Sequence, residues 1–389
     1  MDSGLEAAPP MTGQNRLPPT ALVLTGGGAR AAYQVGVLAA IRDLHKGVTA
    51  NPFPILCGTS AGAINATALA VHARNFTRAV TRLEQLWRQL HVDQIYHADT
   101  ASILASASRW GVALTSGWLI RQTPRALLDN SPLRALLLRA LDFSQISREI
   151  DAGYLQALSI TASGYSSGES LAFFEAGPQV EPWRRTHRVG VPARINVDHL
   201  LASSALPLVF PAVHIHREYF GDGSMRQLAP VSPAIHLGAE RVLVVGAGRL
   251  AEEGRQRARS YPTPAQIAGH AMSSIFLDTL AVDLERLERI NQSLAVMSEE
   301  QRQRAGGLKP ITALVLQPSQ RIDEIAGRHR RSLPRSLRMV LHGLGAMRSE
   351  GSTLLSYLLF EPPYVEALIE LGYEDVIARR TEVEDFLGL

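Results

Sequence analysis

Three short glycine-containing segments hold residue types that can cleave an ester. Gly58-Thr59-Ser60-Ala61-Gly62 has the G-x-S-x-G form, in which a serine on a sharp strand-to-helix turn acts as a nucleophile. The run Gly26-Gly27-Gly28 allows several backbone N–H groups to face one spot, as in an oxyanion hole or a phosphate site. Asp222 lies between Gly221 and Gly223, and taken alone this is the composition of an ordinary turn. Together the segments predict a serine nucleophile, a carboxylate base and a cluster of amide donors.

The spacing around the glycine run argues against two nucleotide-binding motifs. A dinucleotide fingerprint has the form G-x-G-x-x-G with an acidic residue about twenty positions later, whereas Arg30 follows the run and the next glycine is Gly36. A P-loop requires Gly-Lys-Ser or Gly-Lys-Thr, and neither Lys46 nor Lys309 is close to the run. An oxyanion hole is therefore the better interpretation.

The elements that position these residues follow from the hydrophobic pattern. Residues 21–25 are a short apolar run that ends at the glycines, and apolar residues then recur at helical spacing over 35–44. The pattern repeats, since residues 54–57 predict a strand, 58–62 a turn and 64–71 a helix. Two consecutive strand–turn–helix units favour a parallel sheet covered by helices. Further strands are predicted at residues 155–162, 171–174, 213–220, 241–245 and 311–316.

The chain divides by pattern into one large α/β unit with flanking segments. Residues 1–20 contain several prolines and no apolar run, which predicts a disordered tail. Residues 21–320 predict the catalytic domain, within which residues 91–143 form a helical insertion beside the sheet. Residues 321–389 predict a helical C-terminal region packed on or beside the core. Helices that bear on the site are predicted at residues 77–90, 196–204 and 267–290.

Composition and charge exclude several classes of protein. Hydrophobic residues make up 46% of the chain and charged residues 19%, which is typical of a globular chain and not of a disordered one. The 39 basic and 36 acidic residues leave a net charge of +3, so nucleic acid is not an expected partner. Cys57 is the sole cysteine, which excludes a disulfide framework and a multi-thiolate metal site. A reducing, cytoplasmic compartment is expected.

Any contact with a membrane is expected to be peripheral. The first residues lack the basic and apolar regions of a secretory signal, and no stretch approaches the ~18 uninterrupted apolar residues of a spanning helix. Residues 328–348 alternate arginines with apolar residues, as in a basic amphipathic helix that lies on an anionic bilayer. Pro334 interrupts that pattern, so a solvated helix that packs on the core is the alternative. Trp183-Arg184-Arg185 allows the same two interpretations, with a surface loop favoured.

Several motifs in order resemble the patatin-like phospholipase family. They are Gly-Gly-Gly-Ala-Arg at 26–30, Gly-Thr-Ser-Ala-Gly at 58–62, Ala-Ser-Ser-Ala-Leu-Pro at 202–207 leading to Phe210-Pro211, and Asp222-Gly223. The resemblance extends over about residues 21 to 376, and the combination is specific where each motif alone is not. It implies a three-layer α/β fold with a mainly parallel central sheet.

The resemblance also implies a chemistry. Patatin-like enzymes are serine–aspartate dyad hydrolases that act on acyl esters of lipids without calcium, another metal or a cofactor. By position, Ser60 would be the nucleophile and Asp222 the base. The amides of Gly26, Gly27 and Gly28 would stabilise the oxyanion. A phospholipid or another acyl lipid would be the substrate.

Other motif positions carry supporting roles by the same resemblance. Arg30 would hold the glycine loop or meet a phosphate, and Ala61 would join the oxyanion or substrate-binding residues. The chain departs from the family pattern at Ala31 and Ser224, where glycine or another small residue is common, and these departures affect loop geometry and not a catalytic atom. The remaining glycines that support the turns are Gly58, Gly62 and Gly223.

Three alternatives stay open at this point. A solvated aspartate has a pKa of about 3.9 and is a weak base, so burial must raise that pKa for a dyad to work. A triad would instead add a histidine after Asp222, in the chain order of α/β-hydrolases. The protein could also be a soluble esterase or thioesterase, or a lipid-binding scaffold with feeble turnover. The candidate histidines for a triad are His236, His270, His329 and His342.

Overall fold

The central sheet is built from short apolar segments that are buried on both faces. The computed structural model describes residues 18–45, 49–97, 126–249, 261–304, 307–343, 345–347 and 351–389. The strands are β1 (Thr20–Leu24), β2 (Ile55–Thr59), β3 (Ala157–Gly164), β4 (Ser170–Ala176), β5 (Trp183–Arg185), β6 (Arg188–Pro192), β7 (Val213–Ile215), β8 (Glu218–Asp222), β9 (Arg241–Val245) and β10 (Thr312–Leu316). Within the described residues, these ten strands form one sheet.

The sheet is parallel where the two consecutive strand–turn–helix units lie. Its order is β10-β9-β1-β2-β3-β4-β6-β5, and β10, β9, β1, β2 and β3 all run parallel. Strand β3 also pairs antiparallel with β8, with Ala162 opposite Asp222. Because β2 ends just before Ser60 and neighbours β3, the turns that carry Ser60 and Asp222 meet at one edge of the sheet.

Helices cover both faces of this sheet. Leu22 and Leu24 pack into one core cluster, while Ala21 and Val23 of the same strand pack into a second. Alternating side chains of a buried strand point to opposite faces, so the fold has three layers, as predicted. The helices are α1 (Ala32–Leu44), α2 (Ala61–Ala70), α3 (Phe76–Arg88), α4 (Ser131–Ala140), α5 (Ser144–Asp151), α6 (Val197–Ser203), α7 (Ser232–His236), α8 (Pro264–Ser273), α9 (Thr279–Ala295), α10 (Glu299–Arg304), α11 (Ile322–His329), α12 (Arg335–Gly343), α13 (Ser352–Leu358), α14 (Pro362–Ala378) and α15 (Arg380–Leu387).

Two of the predicted elements are wrong in detail. The single strand predicted over 213–220 is a hairpin of β7 and β8, because His216 turns the chain with a φ of 54°. The predicted surface loop at Trp183-Arg184-Arg185 is β5, an edge strand that pairs with β6. There Trp183 stacks on Phe174 with ring centroids 5.0 Å apart. Hydrophobic pattern alone does not show a turn or an edge strand of three residues.

The basic segment at 328–348 packs on the protein through its apolar side. Leu333, Leu337 and Leu341 are buried in the core. Helix α12 begins immediately after Pro334, which separates it from α11. Of the two interpretations from sequence, packing on the core is the one that these contacts fit.

One continuous helical stretch, Pro264–Ala295, is long and apolar enough to cross a membrane by length and composition. Its most apolar 18-residue window has a mean hydropathy of 1.2, and a quarter of that window is buried. Leu280 and Leu287 from this stretch pack into the second core cluster of the sheet. Length and composition do not distinguish a membrane-spanning helix from a helix that covers a sheet. The contacts of Leu280 and Leu287 with the core are those of a helix that covers a sheet.

The predicted flanking segments are described in part. Residues 1–17 of the predicted tail and residues 98–125 of the predicted insertion lie outside the described residues. The rest of the insertion includes α4, which packs on the site described below. Past residue 320 the described residues are mainly helical, and α14 lies against α1 through buried residues such as Leu368 and Ile369.

Candidate active site

Ser60 lies in the turn between β2 and α2 in a conformation that few residues other than glycine adopt. Its φ is 54° and its ψ is −129°, and such a backbone costs about 1–3 kcal/mol unless its surroundings enforce it. The surroundings are tight, since a Cβ atom on Gly62 would lie 2.3 Å from the backbone oxygen of Leu24. Helix α2 can approach β1 this closely because Gly62 has no side chain. The turn therefore holds Ser60 as the nucleophile motif predicts.

Asp222 ends β8 and is completely buried, with 0% of its surface exposed. Its Oδ1 accepts a hydrogen bond of 2.9 Å from the backbone N–H of Ser224. Burial raises the pKa of Asp222 to about 6, and the hydroxyl of Ser60 and the groups of Ser224 offset part of that rise. The serine hydroxyl and the carboxylate are therefore neighbours.

The second carboxylate oxygen of Asp222, Oδ2, is buried without a hydrogen-bond partner among the described residues. The hydroxyl of Ser60 lies close enough to the carboxylate to lower its pKa. Catalytic hydrogen bonds are often long before substrate binds. A buried acceptor of this kind can take a proton, and its raised pKa makes it a stronger base than a solvated aspartate.

The glycine run reaches the same pocket through Gly28. No hydrogen bond among the described residues uses the backbone N–H of Gly26, Gly27 or Gly28. Gly28 has a φ of 54° and lines the same pocket as Ser60 and Ala61. Gly26 and Gly27 are not part of that pocket wall, since a Cβ atom on Gly26 would lie 2.5 Å from Ser224 Oγ and one on Gly27 would lie 2.4 Å from the Cβ of Ala247. Of the predicted oxyanion residues, Gly28 and Ala61 therefore share the pocket with Ser60.

A carbonyl from the C-terminal region fixes the shape of this loop. A Cβ atom on Gly28 would lie 2.4 Å from the backbone oxygen of Tyr357. The ring of Tyr357 stacks on Phe276 at a centroid distance of 5.2 Å. Sequence reasoning missed both aromatic residues, because each lies in a helix whose apolar pattern predicts only packing.

Arg30 supports the loop from behind. Its side chain is buried, with 5% of the residue exposed, and its Nε donates a hydrogen bond of 2.7 Å to Ser356 Oγ. The guanidinium lies 4.0 Å above the ring centre of Tyr357, a cation–π contact. Of the two roles predicted for Arg30, the first fits this geometry, since the side chain faces the C-terminal region and is not part of the pocket wall.

The pocket beside Ser60 is apolar. Helix α3 contributes Leu86 and Trp87, and the part of the predicted insertion that is described contributes Leu137 from α4. Phe210 and Phe360 close other sides. Because an acyl chain is apolar and flexible, a cavity with such walls suits it. The sequence pattern predicts Leu86 and Trp87 only as positions on a helix, and the tertiary structure shows that they surround a space together with Leu137 of α4.

The candidate triad histidines lie away from the carboxylate. His236 stacks on Trp183 with ring centroids 4.8 Å apart, and burial lowers its pKa to about 4. His329 lies against Tyr364, and His270 and His342 are exposed. Within the described part of the chain, the side chains that influence the pKa of Asp222 are those of Ser60 and Ser224. The structure therefore brings Ser60 and Asp222 together, and none of these four histidines is among the groups that affect the pKa of Asp222.

Comparison with known proteins gives the class of this chain. Residues 22–235 match the patatin-like phospholipase family, which is more than half of the 389 residues. The chain therefore belongs to the patatin-like phospholipase family, and the resemblance predicted from its motifs is confirmed. The roles of the individual site residues stay predictions.

Three individual proteins to which this chain is similar share 26% of its residues or fewer over the aligned parts. A Pseudomonas aeruginosa protein described as a cGAMP-activated phospholipase is 26% identical over 215 residues, which is 55% of this chain and 55% of the relative. The chain thus spans about half the length of the curated relative that it matches. Human GIVD cytosolic phospholipase A2 is 14% identical, covering 95% of this chain and 59% of the other, with a TM-score of 0.43. VipD from Legionella pneumophila is 10% identical, covering 93% and 66%, with a TM-score of 0.32.

Proposed function

We propose that this protein is a serine hydrolase that cleaves acyl ester bonds of phospholipids or related lipids. The observation that carries the proposal is that Ser60 lines an apolar pocket and lies beside the buried carboxylate of Asp222. Family membership supports the same conclusion. The pocket would take the acyl chain and leave the ester carbonyl beside the hydroxyl of Ser60.

The proposed reaction has two halves. In the first, Ser60 Oγ attacks the carbonyl carbon while Asp222 accepts the hydroxyl proton, and amides of Gly26, Gly27 and Gly28 stabilise the negative oxygen. Loss of one such donor typically raises the barrier by about 3 kcal/mol. The tetrahedral intermediate then collapses, the ester C–O bond breaks, and the leaving alcohol takes the proton from Asp222. An acyl-enzyme on Ser60 remains.

The second half restores the enzyme. A water molecule gives its proton to Asp222 and attacks the acyl carbon, with the same amides holding the oxyanion. Collapse breaks the bond to Ser60 Oγ, which regains a proton from Asp222, and the fatty acid leaves. Since Asp222 accepts a proton in each half, it must be ionised at the start, which a pKa of about 6 allows at neutral pH.

Labelling of the serine tests the proposal directly. A fluorophosphonate probe is expected to label the wild type, and Ser60→Ala is expected to lose the label, because the probe bonds to an activated serine hydroxyl. Ser159→Ala is the matched control, since Ser159 is also a buried serine but lies on β3 with its hydroxyl unpartnered. Equal labelling of wild type and Ser60→Ala would contradict the assignment of the nucleophile.

Substrate class is tested by comparing physical states of the substrate. We expect hydrolysis of phospholipid vesicles to exceed that of monomeric short-chain esters or thioesters. The opposite ranking would favour the alternative of an esterase or thioesterase, and a folded protein that neither labels nor turns over would favour a lipid-binding scaffold. The Pseudomonas aeruginosa relative is described as activated by cGAMP, so each assay is to be run with and without that nucleotide.

We further propose that the protein works in the cytoplasm with peripheral contact to a membrane. The buried thiol of Cys57, the sole cysteine, supports a reducing compartment. A lipid substrate supports contact with a bilayer surface. Cell fractionation tests this proposal, because release of the protein from membranes by high salt is expected for peripheral binding, and extraction by detergent alone would contradict it.

A further inference from the structure

A fully buried serine lies behind the nucleophile and is bonded to its backbone. Ser203, the last residue of α6, has 0% of its surface exposed. Its Oγ accepts a hydrogen bond of 2.8 Å from the backbone N–H of Ser60 and donates one of 2.6 Å to the backbone oxygen of Thr161. A serine hydroxyl has a single proton to donate, so the bond to Thr161 fixes which lone pair faces Ser60.

The turn that carries the carboxylate is bonded to the same strand position. Gln227 follows that turn, and its Nε2 donates a hydrogen bond of 3.3 Å to Thr161 Oγ1. Gln227 Oε1 accepts a hydrogen bond of 3.0 Å from Thr59 Oγ1. Thr59 and Thr161 are register partners on β2 and β3. One residue of β3, Thr161, is therefore joined to both turns.

We propose that Ser203 and Gln227 are positioning residues that fix the hydroxyl of Ser60 relative to the carboxylate of Asp222. This inference rests on the proposed function. Neither residue is part of the wall of the acyl pocket, so each acts through the turn that it holds. The backbone of Ser60 requires stabilising contacts of this kind, because a serine rarely adopts a φ of 54° without them.

The neighbouring serine shows that this contact is specific. Ser204 is also buried, but its Oγ has no hydrogen-bond partner among the described residues, and the residue lines the pocket. Two adjacent serines thus face different ways, one toward the backbone of the nucleophile and one toward the space for substrate. The hydrogen bonds of Ser203 are not the result of general packing in this segment.

The test compares Ser203→Ala with a variant that loses an equivalent bond elsewhere. Thr67 is fully buried in α2, and its Oγ1 donates a hydrogen bond of 2.8 Å to the backbone oxygen of Ala63. Thr67→Val therefore removes a buried hydroxyl bond that lies within α2, while the bond from the Ala63 N–H to the Ser60 carbonyl oxygen is kept. For each variant, the rate of fluorophosphonate labelling, kcat and KM on a monomeric ester, and Tm are measured.

A displaced nucleophile and a merely less stable protein give different results. Ser203→Ala is expected to lower kcat and the labelling rate by about 10²-fold, with KM changed by less than about twofold because the pocket wall is intact. Thr67→Val is expected to lower Tm about as much as Ser203→Ala does, but to keep the wild-type labelling rate. Faster hydrogen exchange at the Ser60 amide in Ser203→Ala is the direct sign that its bond is lost.

A second variant decides the question if Ser203→Ala does not fold. Gln227→Leu removes both bonds of the amide, and we expect it to slow labelling about tenfold with little change in KM. Wild-type labelling rates in Ser203→Ala, or in Gln227→Leu if that is the folded variant, would overturn the inference and leave the proposed function standing. A wild-type protein that the probe does not label would remove the reaction itself, and both proposals with it.

Discussion

The residues that match the family and those that follow residue 235 bring different things to the site. The first region carries the groups proposed to react, and it holds them in costly states: Ser60 at a positive φ and Asp222 buried with an unpartnered oxygen. The second region carries aromatic packing, in which Tyr357 lies between Arg30 and Phe276. The groups proposed to react thus come from the matched region, and the aromatic residues that pack beside them come from the region after residue 235.

The difference shows why a match that ends at residue 235 does not describe the complete site. Gly28 belongs to the matched region, but the carbonyl of Tyr357 occupies the space beside it. Because packed interiors have little free volume, a movement of Tyr357 would displace the backbone of Gly28 as well. We therefore expect substitutions at the reacting groups to change the chemistry, and substitutions at the contact between regions to change loop geometry.

The largest expected effect is that of Asp222→Asn. Loss of the base should lower kcat by about 10⁴-fold, as loss of a catalytic aspartate does elsewhere. The same change should stabilise the fold at pH 8 by up to about 3 kcal/mol, since it removes a carboxylate whose pKa burial raises to about 6.

The sign of that stability change depends on pH. A raised pKa means that the folded state prefers the protonated acid, so this contribution to stability is present below the ordinary pKa of 3.8 and is lost as pH rises through about 6. The advantage of Asp222→Asn over wild type should therefore be absent at pH 3.5 and full at pH 8. Kinetics and urea unfolding at both pH values check this, and a variant that is less stable at pH 8 would contradict it.

The next effect is expected where the two regions touch. Gly28→Ala should lower kcat/KM by about 10²–10³-fold, because the added Cβ would displace an oxyanion donor. Gly153→Ala is the matched control, since Gly153 also has a positive φ, 77°, but nothing lies within 4 Å of its added Cβ. Kinetics of both variants separate backbone strain from contact with Tyr357, and equal activity losses would refute a special role for that contact.

A smaller and selective effect is expected within the acyl pocket. Leu137→Trp should reduce activity on long-chain relative to short-chain esters by about 10- to 100-fold, because the larger side chain takes up part of an apolar pocket. Leu138→Trp, next to it on α4 but 56% exposed, should leave the ratio unchanged. The measurement is kcat/KM over a series of chain lengths, and a parallel loss at all lengths would place the acyl chain elsewhere.

The smallest expected effect is the dependence of wild-type activity on pH. On a monomeric ester, kcat/KM should fall about tenfold per pH unit below about 6, because protonation of Asp222 removes the base. Tyr165, a neighbour whose own pKa lies above 10.0, does not titrate in this range. A midpoint near 4 would mean that Asp222 is solvated in the working enzyme or is not the base.

Much of the fold could be predicted from sequence, and so could the proximity of Ser60 and Asp222, the groups proposed to react. The β1 and β2 units, the helix at 196–204 and the strands at 241–245 and 311–316 follow from local pattern, because chain neighbours decide turns, helix ends and buried strands. Ser60, Asp222 and the glycine run were found because each motif needs special residues within a few positions. The hairpin of β7 and β8 was missed, since its two-residue turn depends on His216 adopting a positive φ.

The sequence by itself determined which residues are proposed to react, because sharp turns are local and require glycine, serine or aspartate at fixed positions. Tertiary structure alone decided what surrounds them. Ser203 and Ser204 are identical and adjacent in sequence, and nothing local shows that one bonds to Ser60 while the other faces the pocket. Tyr357 follows Gly28 by more than three hundred positions, and such contacts arise from the packing of whole layers, which a local pattern does not encode.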